Sequence, residues 1–180
     1  MNKSITIVVI LLGIALSAIQ GQTGTVRDSL NPKEENGFTV QDEEYTLHFK
    51  IENTNKQEPA LVIVVELYNG SHYISPLAKG DFTGKFNLDL GSFTHLGFEG
   101  EIKENPRSTE EFSSDPFVKG TVNWVRVNST YKQDLQVKSQ EDFEVFGSLR
   151  FTIEPRCTLE VIRFTISFKD GELKITYPKC

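Results

Sequence analysis

The chain has 180 residues, of which 38% are hydrophobic and 24% are charged, and its formal net charge is -6. This composition is typical of one soluble globular domain and excludes a wholly disordered chain. An acidic chain without a basic cluster is a poor nucleic-acid binder, so no nucleic-acid partner is expected. Thirteen phenylalanines against one tryptophan favour a β core, because aromatic side chains suit pleated, half-buried surfaces.

Residues 1–21 have the three-part pattern of a secretory signal peptide. Lys3 supplies the positive start, Ile5 to Ile14 is an almost unbroken apolar run, and small and polar residues follow. An uncleaved membrane anchor is the alternative, but the run falls short of the ~20 residues that a spanning helix needs. We therefore expect cleavage near residues 19–21, a secreted or periplasmic protein, and no stable membrane insertion after the leader is removed.

Residues 22–37 are polar and are expected to form a flexible lead-in to a single β domain at residues 38–180. In that domain, the alternation of apolar and polar side chains from Tyr45 to Glu52 predicts a half-buried strand. The continuous apolar run from Leu61 to Val65 predicts the next strand, which is expected at the centre of a sheet.

The middle of the chain predicts shorter elements. One strand, a loop and another short strand are expected between residues 79 and 100. A helical turn is expected at residues 105–112, because a proline near its start suits the first turn of a helix. A strand from Val118 to Val127 and a turn at residues 128–130 are expected to precede a short strand that begins at Leu135.

The last third of the chain has the strongest β pattern. Residues 143–153 and 162–168 alternate between apolar and polar side chains, and Glu154 to Thr158 interrupts the pattern. Lys169-Asp170-Gly171 is typical of a hairpin turn, and alternation resumes after it. Eight or nine strands without a long helix predict an all-β fold, an antiparallel immunoglobulin-like β-sandwich, with a barrel as the alternative.

The two cysteines, Cys157 and Cys180, are too far apart in sequence for a metal or C-x-x-C redox motif. A structural disulfide, two independent thiols and a reactive thiol at Cys157 are all compatible with this spacing. Arg156 would favour a thiolate at Cys157, whereas Glu154 and Glu160 would oppose it.

The other candidate groups favour binding over catalysis. The histidines His48, His72 and His95 are too scattered for a metal site, so neither a metal nor a cofactor is expected. No Gly-x-Ser-x-Gly elbow occurs and no carboxylate pair stands out, so an enzyme is not expected. Aromatic residues near turns are a better indication of binding, because aromatic side chains are favoured at interfaces. They are Tyr68, Tyr73, Trp124 and Tyr131, of which Trp124 is expected to be buried.

Two parts of the chain resemble the N-terminal periplasmic domain of the thiol–disulfide interchange protein DsbD. They are Gly70-Ser71-His72-Tyr73-Ile74-Ser75 after the strand at Leu61 to Leu67, and Gly147 to Ile153 followed by Cys157 and Ile162 to Phe168. The family has a Gly-Trp-His-Leu-Tyr-Ser type segment, of which the His and Ser match here. It uses two cysteines of one hairpin as a redox pair, whereas only Cys157 lies in the matching region. The resemblance, over residues 38–177, implies the fold and the compartment, but not the activity.

Three functions follow as hypotheses. The first is a non-enzymatic module that binds an envelope or extracellular protein through His72–Pro76 and Glu154–Thr158, with His72, Tyr73, Ser75 and Arg156 as binding residues. The second is thiol–disulfide exchange through Cys157 and Cys180, whose Cα atoms would then have to lie roughly 5.5–6 Å apart. The third is carbohydrate or small-ligand binding in an aromatic-lined cleft.

Overall fold

The computed structural model describes residues 36–53, 58–91, 94–113, 118 and 120–178, so the expected signal peptide, almost all of the lead-in and Cys180 lie outside the described residues. This part of the chain contains twelve strands and no helix, and hence no helix that could cross a membrane. The strands are β1 (Gly37–Gln41), β2 (Tyr45–Glu52), β3 (Ala60–Leu67), β4 (Tyr73–Ile74), β5 (Asn87–Asp89), β6 (Leu96–Asn105), β7 (Glu110–Ser113), β8 (Gly120–Val125), β9 (Ser129–Val137), β10 (Phe143–Ile153), β11 (Thr158–Lys169) and β12 (Glu172–Thr176). The predicted all-β class is confirmed.

The largest sheet has the order β1-β2-β3-β9-β6, and all its neighbouring strands are antiparallel. The central strand, β3, contains the continuous apolar run, as the sequence predicts. Leu61, Ile63 and Val65 join the main core, while Val62 is buried on the opposite face. Burial on both faces explains why this strand does not alternate.

The second sheet has the order β12-β11-β10-β5 and is built around the long β10–β11 hairpin. Asp170 and Gly171 connect β11 to β12 with φ values of 53° and 80°, which confirms the predicted hairpin turn. Gly147 lies in β10 where a Cβ would collide with the ring of Phe164. The absence of a side chain at Gly147 therefore leaves room for the Phe164 ring to pack against β10.

These two sheets enclose one core, in which aromatic rings from both meet. Phe49 of β2 lies 5.8 Å from Phe164 of β11, and Tyr45 meets Phe151 of β10 edge-on at 5.2 Å. Burial of each such side chain contributes about 1.5–3 kcal/mol. The arrangement is consistent with the predicted β-sandwich, and its immunoglobulin-like character stays a prediction.

A third, three-stranded sheet has the order β4-β8-β7. Tyr73 of β4 reaches into the main core, whereas Ile74 packs with Ala78 and Val122 in a smaller apolar cluster. The short strand β4 therefore fastens this sheet to the rest of the molecule.

The helical turn expected at residues 105–112 is wrong, because β6 ends at Asn105 and β7 begins at Glu110. The Glu104 carboxylate accepts hydrogen bonds from the Ser108 N–H at 2.9 Å and from its hydroxyl at 2.7 Å. A side chain thus satisfies the donors that a helix would have used. Strand β7 then pairs with β8 instead.

The turn expected at residues 128–130 and the short strand from Leu135 are also wrong, because β9 runs without interruption from Ser129 to Val137. Its buried positions include Ser129 and Gln133 as well as Tyr131 and Leu135, so the apolar alternation is weak. Gln133 is tolerated in a buried position because its amide donates to the carbonyl of Glu99 at 2.9 Å.

Candidate functional site

Four connections between strands meet at one end of the molecule, which we call the loop end. They are residues 42–44 between β1 and β2, 68–72 between β3 and β4, 126–128 between β8 and β9, and 154–157 between β10 and β11. His72 and Glu154 exchange two backbone hydrogen bonds of 3.0 and 2.9 Å. The segments His72–Pro76 and Glu154–Thr158, expected to form one surface, are therefore in contact.

Polar groups hold the other connections together. The Ser71 hydroxyl donates to the carbonyl of Glu44 at 2.7 Å, and the Tyr68 N–H donates to the same carbonyl at 2.8 Å. The Leu67 N–H donates to the Asn128 side chain at 2.9 Å. Since each connection is bonded to a neighbour, the loops have one defined arrangement.

Arg156 forms ion pairs with three carboxylates at the loop end. Its Nη1 lies 3.0 Å from Asp42 Oδ1 and also contacts Glu44 Oε2, and its Nη2 lies 2.9 Å from Glu160 Oε1. A planar guanidinium suits this arrangement because it presents several donors at once. Arg156 therefore fixes the turn at 154–157 against the turn at 42–44.

Three carboxylates around one guanidinium leave excess negative charge, and two of the acids respond in opposite ways. Burial, and then the hydrogen bond to Asp42, raises the pKa of Glu44 above its ordinary value. Burial also acts to raise the pKa of Asp42, but hydrogen bonds from Glu44 and Arg156 hold it below its ordinary value. The interaction between the two side chains therefore raises the pKa of Glu44 and lowers the pKa of Asp42.

Glu160 lies on the inward-facing side of β11, in the same register as Ile162 and Phe164. The Tyr45 hydroxyl donates to its Oε2 at 2.9 Å. Burial, and then the charge of Glu160, raises the pKa of Tyr45 far above its ordinary range. An acid on the apolar face of a strand is a signal in the sequence that this residue needs a partner, whereas Asp42 and Glu44 carry no such signal.

An aromatic and cationic patch lies beside the charged cluster. The ring of His72 meets Trp124 edge-on at 5.0 Å, and the guanidinium of Arg126 lies 5.5 Å from the centre of the Trp124 ring. Tyr68 is 37% exposed, as the sequence predicts, and Val127 is 56% exposed. Trp124 is half-buried and supports the patch from below.

Tyr73 and Ser75 do not form part of this surface, because both side chains are completely buried. The expected exposure of Tyr131 is wrong as well, since it is 1% exposed. Tyr73 packs on Phe86, and its hydroxyl lies 2.8 Å from that of Tyr131. Strand β4 turns these residues into the core, so they can support the loop end but cannot touch a partner directly.

Glu104, which is half-buried on β6, is the centre of a hydrogen-bond network that the sequence did not indicate; we call it the Glu104 network. Its Oε1 accepts hydrogen bonds of 2.8 Å from Tyr131 and from Ser75, and its Oε2 accepts two from Ser108. No cation pairs with it among the described residues. Neutral donors alone hold this carboxylate, and they join β6 to β4 and β9.

Cys157 is an exposed free cysteine at the loop end, with a φ of 56°. The neighbouring Arg156 is engaged by carboxylates. Thr176 of β12 pairs with Thr165, eight residues along β11 from Cys157. Those eight residues measure about 26 Å, and four extended residues from Thr176 span at most about 14 Å. A Cys157–Cys180 bond within one chain would therefore require the end of β12 to leave its neighbour.

The three histidines have separate surroundings. His48 Nδ1 lies 2.9 Å from the Thr39 hydroxyl, and His95 stacks on Phe143 at 5.7 Å. Within the described ranges, no group of three or more His, Cys, Asp or Glu side chains is arranged to hold a metal ion.

Comparison with known proteins assigns no family to the chain: no protein-family model matches it, and no curated protein matches it significantly. The resemblance to the DsbD N-terminal domain therefore stays a prediction. The segments that carry the resemblance form the β10–β11 hairpin and the region of β4, and they meet at His72 and Glu154.

Proposed function

We propose that this chain is a secreted or periplasmic, non-enzymatic module that binds another protein of the cell envelope or extracellular space. The loop end is its binding surface. The observation that carries the proposal is the convergence of four connections, which are bonded to one another beside an exposed tyrosine and a cation–π pair. The resemblance to the DsbD N-terminal domain implies the same compartment.

The physical character of the loop end suits protein binding. Loops on a rigid β scaffold are frequent binding sites. Loops that already have one arrangement lose little conformational freedom on binding, which favours affinity. Tyrosine, tryptophan and arginine are enriched among the residues that dominate interface energies. Trp124 and Arg126 supply two of these types in one contact, and the exposed Tyr68 supplies the third on a neighbouring connection of the loop end.

Thiol–disulfide exchange is the weaker candidate for the same surface. Release of a mixed disulfide needs a second thiol near the first. The described residues place no second cysteine beside Cys157, and the end of β12 lies too far along β11 for Cys180 to reach it without rearrangement. The exposed position of Cys157 is instead a convenient site for a label on the binding surface.

Position-specific photo-crosslinking tests the proposal. A photoreactive amino acid replaces Tyr68 or Val127 at the loop end, and Lys169 or Glu172 at the opposite end, in the protein expressed in its natural host cells. All four positions lie on the surface or at a strand end. Thr158 and Lys169, at the two ends of β11, are eleven positions apart, which corresponds to about 36 Å. We expect one product of constant mass from the loop-end positions and little from the opposite end.

Charge reversal provides the matched control for this experiment. Arg126→Glu should lower the yield from Val127, while Lys174→Glu on β12 should leave it unchanged. Equal yields from both ends of the molecule, or products only from Lys169 and Glu172, would show that the loop end is not the binding surface. Absence of any product in the secreted fraction would contradict the proposed compartment or partner.

A further inference from the structure

Strand β11 is paired on both sides over only part of its length. It has twelve residues, but β12 pairs only with Thr165 to Lys169. No strand or backbone hydrogen bond in the described part of the chain covers the other side of Thr158 to Arg163, which we call the open edge. Six strand residues span about 20 Å, which is the length of an average strand.

Beyond β12, the next aromatic residue packs against β1, the edge strand of the largest sheet. Tyr177 follows the last residue of β12 and meets Phe38 of β1 edge-on at 5.6 Å. Tyr177 is half-buried at the margin of the main core. The open edge therefore lies beyond Thr176, the last residue of β12 that pairs with β11, and it ends at the loop end beside Cys157.

The open edge contains one inward-facing acid, Glu160, but Tyr45 and Arg156 bind it, and the strand has no irregularity that would discourage pairing. Strand β6, at the edge of the largest sheet, has an irregularity between Glu99 and Lys103 and many exposed charges. Such irregularities and charges discourage pairing with another chain. The open edge instead exposes Leu159 at 57% and Val161 at 46%, with regular pairing to β10 on its other side. An unpaired strand with exposed apolar side chains is a template for a further strand.

The charge beside the open edge indicates the chemistry of that strand. Arg163 is exposed on the same face as Leu159 and Val161, and no ion pair to a carboxylate occupies it in the described ranges. Arg150 lies opposite Val161 on β10 and is likewise exposed without an ion pair. In a chain with a net charge of -6, two unpaired arginines on one sheet face are a local positive site. An acidic side chain complements them.

We propose that the protein partner adds an extended segment to the open edge as an antiparallel strand, which rests on the proposed function and specifies how the partner binds. The segment has apolar side chains at two alternate positions, opposite Leu159 and Val161, and an acid opposite Arg163. Backbone hydrogen bonds supply affinity, and the three side-chain contacts supply selectivity. Antiparallel addition continues the pattern of the sheet, in which every pair is antiparallel.

Amide exchange and a defined peptide test this inference. The probe is acetyl-Glu-Thr-Val-Thr-Val-Thr-amide, whose acid would lie opposite Arg163 in an antiparallel pairing. In the isolated full chain, the amides of the open edge that point away from β10 should exchange rapidly with solvent. The peptide should slow them about tenfold or more. Slow exchange without peptide would overturn the inference. If the exchange is slow at every protein concentration, the chain itself covers the edge. If it is slow only at high concentration, a second copy covers it.

A charge exchange tests the predicted register. Arg163→Glu should weaken the peptide about fivefold, and a peptide with lysine in place of glutamate should recover that loss. Arg150→Glu is the control, because it lies one strand further from the added segment and should have a smaller effect. Equal effects of both variants, or no recovery with the lysine peptide, would refute the register.

Partner capture separates this inference from the function on which it rests. Leu159→Lys and Val161→Lys place exposed charges on the open edge and should reduce crosslinking from Val127 to its partner at least about tenfold. Tyr68→Lys at the loop end is the comparison. If the edge variants retain full crosslinking while Tyr68→Lys loses it, the open edge is not used but the proposed function stands. If Val127 gives no partner product in the native protein, the proposed function itself fails.

Discussion

The molecule holds two polar clusters of opposite design. At the loop end, one guanidinium, that of Arg156, faces three carboxylates. Away from the loop end, the single half-buried carboxylate of Glu104 accepts hydrogen bonds only from neutral donors, among them Tyr131 and Ser75. Each cluster connects elements that are distant in sequence, so both stabilise the tertiary structure. Only the cluster around Arg156 contains several charged groups.

The two clusters should therefore differ in their response to solution conditions. A network of neutral donors around one acid is insensitive to salt and suits a permanent junction between β4, β6 and β9. A multiply charged cluster near the surface responds to pH and to ionic strength. The charged cluster, which responds to pH and ionic strength, therefore holds the loop end, where we propose that a partner binds.

Glu104→Ala should produce the largest effect in this comparison. It removes the acceptor of Tyr131, Ser75 and Ser108, and leaving such donors unsatisfied should destabilise the protein by about 2–3 kcal/mol. Urea denaturation followed by tryptophan fluorescence measures this change. Glu101→Ala, an exposed residue on the same strand, is the control and should stay within about 0.5 kcal/mol of the native protein. A similar small loss for Glu104→Ala would mean that water replaces the network.

Arg156→Ala should have the next largest effect, about 1–2 kcal/mol, because it leaves Asp42, Glu44 and Glu160 without their shared cation while partial exposure moderates the cost. Raising the ionic strength should reduce the difference between variant and native protein, since salt screens the ion pairs. Denaturation at low and high salt measures both. Arg150→Ala, which breaks no ion pair, is the matched control, and a salt-independent loss for Arg156→Ala would contradict the electrostatic account.

Tyr45→Phe should cost about 1 kcal/mol, because it removes one hydroxyl that donates to the Glu160 carboxylate. Tyr73→Phe removes a hydroxyl from the Glu104 network. Tyr131 keeps Glu104 as its acceptor, so the loss of unfolding free energy should be smaller for this variant. Urea denaturation of the two variants in parallel compares how much one hydroxyl group contributes to the unfolding free energy in each cluster. A larger loss for Tyr73→Phe would reverse the expected order.

The pH response of the charged cluster should give the smallest effect. Glu44 has a pKa raised from its ordinary value of 4.5, so its stabilising contribution is complete below pH 4.5 and is lost as the pH rises through the raised value. Asp42 has a lowered pKa, so its contribution is complete above 3.8 and is lost as the pH falls through the lowered value.

Glu44→Gln tests the first of these signs. The glutamine keeps a donor for Asp42 without titrating, so the variant should gain stability relative to the native protein as the pH rises above 4.5. Unfolding free energies measured across pH 4 to 7 give this difference. A difference between Glu44→Gln and the native protein that does not change with pH would show that Glu44 does not titrate differently on folding.

The sequence predicted the β class and several strands because alternation is a local property. The β10–β11 and β11–β12 hairpins, the central strand β3 and the Asp170-Gly171 turn are all where their residue patterns indicate them. Local patterns failed where polar residues were buried with partners. Gln133 weakened the signal of β9, and Glu104 replaced an expected helical turn with a side-chain bond to Ser108.

The candidate site was predictable only in part. The contact between His72 and Glu154 agrees with the expectation that their segments share a surface. The predicted binding residues Tyr73 and Ser75 do not lie on that surface, because both side chains are buried. Of the partners of Arg156, Glu160 is four positions away, but Asp42 could not be found by spacing because it lies 114 positions away.

In the strands with clear alternation, such as β2, β10 and β11, the residue pattern alone determined which side chains face the core, because successive side chains of a strand point to opposite faces. It also determined the tight turns, through residues that accept a positive φ. The order of strands within the sheets decided the rest. That order brings four connections to one end, surrounds Arg156 with acids and leaves β11 half covered. These features depend on contacts between distant residues, whose energies no local pattern records.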